Sequence, residues 1–135
     1  MVIISDDEKK MIDAGTSDTL RALYSTAYVL LKDKCKDIQL GLDFLKTGNC
    51  TAGLAKETSK QIQEIQKELS SYKPDEAIYD YRDLKLEAPW KDNISEDVTS
   101  CADLFTTADG KDLLLEIIDI LSYASAQNVS IEALG

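Results

Sequence analysis

A chain of 135 residues is long enough to bury a core without disulfide or metal staples, and it reads as a single domain over 1–135. Hydrophobic residues at 44% and charged residues at 30% exclude a disordered chain. A net charge of −10 argues against nucleic acid and anionic membranes as direct ligands, because both would be repelled.

The first residues lack a basic segment followed by a long apolar run, so no secretory signal is expected. Val2-Ile3-Ile4 reads as a brief strand or a tucked-in terminus. Asp6, Asp7 and Glu8 then suit the first turn of a short helix through Ala14, ended by Gly15. Thr16 or Ser17 caps a second helix, whose Leu20, Leu23, Tyr24, Ala27, Leu30 and Leu31 recur at three- and four-residue steps. A third helix over 37–47 carries Ile38, Leu42 and Leu45 inward and stops at Gly48-Asn49. From Thr51 a longer helix runs to about Tyr72 with the seam Ala55, Thr58, Ile62, Ile65, Leu69 and Tyr72. Its narrow apolar stripe fits the outside of a bundle, or an exposed seam that recognises a partner helix.

Pro74 closes that helix. Over 75–87 the pattern points to a short helix followed by an extended segment, in which Leu84, Leu86 and Ala88 alternate. Residues 94–105 read as a helix capped by Ser95, with a strand over 104–107 as the competitor. Trp90 reads as core or as an interface anchor. Asp109-Gly110 makes a turn into the clearest amphipathic helix of the chain, 111–126. Asn128 stops it, and Val129-Ser130-Ile131 is a candidate last strand. The fold class is therefore mainly α, a helical bundle, with short strands at 2–4, 104–107 and 129–131 as candidates.

The charge is not evenly spread. Residues 1–74 hold eleven acids and eleven bases, whereas 75–119 hold thirteen acids against four bases. A localised acidic field speeds encounter with a positive partner. The candidate contact residues are accordingly Asp75, Glu76, Tyr79, Asp80, Tyr81, Asp83, Glu87, Asp92, Glu96, Asp97, Asp109 and Asp112. The two tyrosines are included because each keeps a polar tip.

Catalytic chemistry is hard to find. The chain has no histidine, which removes Ser-His and Cys-His nucleophiles and the usual imidazole metal sites. No glycine-rich phosphate loop is present. An EF-hand register with Gly110 at its sixth position matches Asp109 and Glu116, but it puts Phe105 where the first carboxylate is needed. No cofactor and no metal are expected, and the chain is read as a non-enzyme. Cys35, Cys50 and Cys101 form no metal or disulfide framework and suit a reducing cytoplasm. The Asn-x-Ser/Thr sites at Asn49, Asn93 and Asn128 then carry no meaning.

Pro89-Trp90, Ile94-Ser95, Cys101-Ala102-Asp103-Leu104-Phe105 and Thr107-Ala108-Asp109-Gly110-Lys111-Asp112-Leu113, with the helix that follows, resemble the immunity protein 70 family. This is one of the bacterial antitoxin families of polymorphic-toxin and contact-dependent inhibition systems. The resemblance spans roughly the last third of the chain. It implies a cytoplasmic inhibitor that binds a cognate toxin carboxy-terminal domain, often a nuclease, directly and tightly. Small size, lack of catalytic apparatus and a localised acidic face agree with that, with a monomer favoured and no membrane contact. The competing reading is a helical adaptor or regulatory subunit that uses the 55–72 seam; a third is an acidic metal-responsive domain.

Overall fold

The pairing of Ile3 with Ile12 makes the amino terminus a hairpin. In the computed structural model, which describes residues 1–135, β1 (Val2–Ser5) pairs antiparallel with β2 (Met11–Asp13), Ile3 facing Ile12. The expected helix through Ala14 does not form. A helix over 6–14 would offer only Met11 and Ile12 to the core. As a strand, the segment buries Ile12 and leaves Met11 and Asp13 outside. Asp7 organises the turn instead, accepting from the Ser5 hydroxyl at 2.6 Å and the Lys9 amide at 3.1 Å.

Three helices follow: α1 (Ser17–Leu30), α2 (Gln39–Thr47) and α3 (Ala55–Leu69). Thr16 and Thr51 precede α1 and a short 3-10 turn at Ala52–Leu54, but neither side chain accepts a capping hydrogen bond. Leu20, Leu23 and Ala27 of α1 are buried, and so are Ser25 and Thr26 on another side. Helix α1 is thus covered from more than one direction. Helix α2 ends at Gly48, φ +76°, whose amide returns to Phe44 O at 2.7 Å. Gly41 lets α2 close on α3, because a Cβ there would lie 2.9 Å from Ile65 Cδ1.

Ala55, Thr58, Ile62, Ile65 and Leu69 of α3 are buried. The four apolar ones, Ala55, Ile62, Ile65 and Leu69, belong to one core cluster of 27 residues. The seam is therefore core, which overturns the reading of 55–72 as an exposed adaptor surface. Its narrowness reflects contact with α2 on one side and α4 on the other.

A 3-10 turn at Pro74–Glu76 is followed by 77–112 with no helix and no strand. The helix expected over 94–105 is absent. The strand expected over 104–107 reduces to an isolated bridge between Thr106 and Asp112, closed by Thr107 N–H to Lys111 O at 2.8 Å. Local side-chain bonding wins here. Asp103 accepts from the Thr99 amide and hydroxyl and from the Ser100 amide, a pattern that competes with helical bonding.

Helix α4 (Leu113–Gln127) is capped by Asp112, whose carboxylate accepts from Leu115 N–H at 3.2 Å, and it ends at Asn128 in the left-handed conformation. The last strand, β3 (Ile131–Leu134), lies beyond most of the expected 129–131. It pairs antiparallel with β1, giving the order β2-β1-β3. Four helices with a small antiparallel sheet make the fold mixed α and β, so the mainly α expectation holds for the helices and falls short at the sheet.

Candidate functional site

Residues 77–112 form a long irregular segment, and the chain holds it at several points. Its start is hooked to α1. Ile78 N–H donates to Thr26 Oγ1 at 3.0 Å, and Tyr81 N–H donates to Ser25 Oγ at 2.9 Å. Both hydroxyls are fully buried. Between these hooks Asp80 turns inward, leaving a side chain only 7% exposed. It takes Arg82 on both oxygens, at 3.0 and 2.8 Å, with Arg21 Nε 3.9 Å away. The Arg82 guanidinium and backbone amide hold the Asp80 carboxyl down at about 2.

Aromatic edges fix the middle. Trp90 meets Tyr79 at 5.6 Å and Phe105 at 5.9 Å, edge to face in both cases. Tyr81 stands edge-on to Tyr24 and Tyr28. Arg21 lies over the Tyr79 ring and donates to Asp18 at 2.8 Å. Trp90 is thus partly buried against the core. Tyr79 and Tyr81, expected to be exposed, are half-buried.

The far end is tied down as well. Cys101 N–H donates to Tyr72 O at 2.9 Å, and its thiol reaches Lys73 O at 3.1 Å. Burial, with the Glu76 and Asp75 carboxylates nearby, pushes that thiol up to about 12, so it is inert as a nucleophile. Ala108 N–H reaches the edge of β2 through Asp13 O at 2.8 Å.

The twelve residues proposed from sequence do not share one place. Asp75 and Glu87 line a cleft of about 240 Å³ with Pro74, Ala77, Leu84, Leu86, Trp90 and Ile94. Glu76 closes the turn before it, accepting from Lys73 N–H at 2.7 Å. Asp83, Asp92, Glu96 and Asp97 are exposed on the same irregular segment. Asp109 belongs to a separate groove beside Met11, Asp13 and Glu116. There the Thr107 hydroxyl lowers its pKa. Asp112 is spent on capping α4, and burial raises its pKa. Asp80 is a structural ion pair.

Within 75–97 there are eight acids and three bases. Arg82 is matched by Asp80, and Lys91 by Glu87 at 2.9 Å. Asp75, Glu76, Asp83, Asp92, Glu96 and Asp97 have no ion-pair partner, with only Lys85 left among the bases. Such a surface attracts positively charged groups. Sequence reasoning missed the exposed Leu84 and Leu86, read as one face of a half-buried strand, and the Ser25–Thr26 hook. Two adjacent hydroxyl residues inside an otherwise apolar helix were the available signal for the hook.

No group of three or more His, Cys, Asp or Glu side chains converges as a metal site, and no helix is long and apolar enough to cross a membrane. No curated protein and no solved structure matches the chain. The sequence model of the immunity protein 70 family matches residues 5–133. That span takes in the charge-neutral first half, so the likeness is not confined to the last third. On that match, covering nearly its whole length, the chain belongs to the immunity protein 70 family.

Proposed function

We propose that this chain neutralises a cognate bacterial toxin domain by binding it directly, through the carboxylates carried on the 75–97 segment. The observation that carries the reading is the set of six acids without ion-pair partners on residues 75–97, which are tied to α1 near their start and followed by further ties at Cys101 and Ala108. Unpaired surface charge costs self-repulsion, and a basic partner turns that cost into attraction. Anchoring keeps the entropy lost on binding low, because the segment is already ordered. The expected partner is a basic toxin carboxy-terminal domain. A nuclease fits well, since a surface built to hold phosphates is positive. Inhibition then proceeds by occupancy, without catalysis, cofactor or metal, in the cytoplasm and as a monomer.

The test begins with the reading frame immediately upstream of this gene: a toxin domain encoded there is the partner for association kinetics, and a frame that encodes none would count against the reading. Steering by the acids should make the on-rate fall about tenfold or more between low and physiological salt. Charge reversal at Asp83, Glu96 and Asp97 should slow it at low salt. An on-rate indifferent to both would remove the acidic segment from the interface.

A further inference from the structure

The acidic segment has an apolar apex. Leu84 is 62% exposed and Leu86 49%, and both line the cleft that Trp90 and Ile94 share with the charged Asp75, Lys85, Glu87 and Lys91. These leucines are not exposed through slackness. Asp83 N–H donates to Asp80 O at 3.2 Å, Leu86 N–H donates to Asp83 O at 3.1 Å, and Asp83 Oδ1 accepts from Lys85 N–H at 3.1 Å. The turn is therefore closed on itself, directly after the buried Asp80 pair, and it points two large apolar side chains into water. A solvated acidic loop has no need of that, whereas the centre of a protein contact does.

We propose that Leu84 and Leu86, with the Trp90 cleft beside them, form the apolar centre of the toxin contact. The occupant is an apolar side chain of the toxin domain flanked by lysine or arginine. The charges select it. Asp83 and Glu87 bracket the leucines, Lys85 sits between them and Lys91 pairs with Glu87. Asp92, Glu96 and Asp97 lie further along, however, and the 75–97 stretch has eight acids against three bases, so an apolar projection arrives more readily on a basic surface. A second copy of this chain would bring like-charged rims together. The inference rests on the reading that this chain binds a toxin domain.

The full chain carrying Leu84→Ser and Leu86→Ser is compared with wild type and with Asp83→Asn/Asp97→Asn, against the same toxin domain that tests the proposed function. Trp90, the only tryptophan of the chain, gives a fluorescence signal at the contact. The leucine variant should weaken binding about 30-fold or more, mostly through faster dissociation. The aspartate variant should mainly slow association at low salt. Melting temperatures and circular dichroism check that the variants fold; Leu84→Ala alone serves if the double variant does not. Wild-type affinity in the leucine variant overturns the apolar centre and leaves the proposed function standing. A wild-type chain that fails to bind overturns the proposed function and the centre with it. Dimers dissolved by the leucine variant would place a second copy on this surface and overturn the assigned occupant.

Discussion

Thr26→Val should detach the start of the 77–112 segment while leaving the core of α1 filled. Valine keeps the shape of threonine and removes one oxygen. That oxygen accepts the Ile78 amide at 3.0 Å and lies 2.9 Å from Ala22 O and 3.1 Å from Ile78 O as a donor. Losing the pair costs about 1 kcal/mol for the hydrogen bond, and roughly 1–2 kcal/mol more for the Ile78 N–H left without a partner. Helix propensities of threonine and valine are close enough to contribute little. A loss of about 2–3 kcal/mol is expected, which at roughly 4 °C per kcal/mol lowers the melting temperature by about 8–12 °C. Urea unfolding gives the free energy. Hydrogen exchange gives the location, since the Ile78 and Tyr81 amides should lose protection beyond what the global change explains. Toxin affinity should fall too, because a loosened segment must be ordered at the moment of binding. Stability within about 0.5 kcal/mol of wild type, with Ile78 still protected, would refute the view that α1 hydroxyls hold the segment.

Two further outcomes bear on the core and on acid stability. Ile62→Ala should cost about 3 kcal/mol by opening a cavity in the α3 seam, whereas the exposed neighbour change Gln63→Ala should stay within about 0.5 kcal/mol; an undisturbed Ile62→Ala in denaturant titration would reopen the exposed-seam reading. Asp80, held at about 2 in the folded chain, contributes stability that is complete above its unfolded value near 3.8 and lost as pH falls through the folded value. Asp80→Asn should therefore flatten the pH dependence of unfolding between about pH 4 and 2. An acid limb as steep as that of wild type would show that the Arg82 pair does not hold the segment.

The helices that bury a full face were legible from spacing, and α1, α3 and α4 lie close to where the pattern puts them. Gly48 and Asn128 stop their helices as residues tolerant of the left-handed conformation do. The errors fall where local pattern and tertiary demand disagree. Asp6-Asp7-Glu8 is a good helix opening, but the Met11-Ile12-Asp13 alternation that it precedes pairs back on Val2, Ile3 and Ile4 as a hairpin, and three residues are too few for the alternation to outweigh the acidic opening. Asp80 was grouped with exposed acids because composition says nothing about which carboxylate an arginine two residues on will claim. Leu84 and Leu86 alternated as a strand alternates, yet no partner strand exists for them. The charge asymmetry survived intact because it is a property of the residues and not of their pairing.

The sheet has a consequence for synthesis. Its central strand, β1, is made before all four helices, and its partner β3 after them. At about 5–20 residues per second, β1 waits on the order of ten seconds beside β2 alone, with one edge unpaired, while every helix emerges. An unpaired edge is open to wrong strands. All four helices must therefore be translated before the sheet can close.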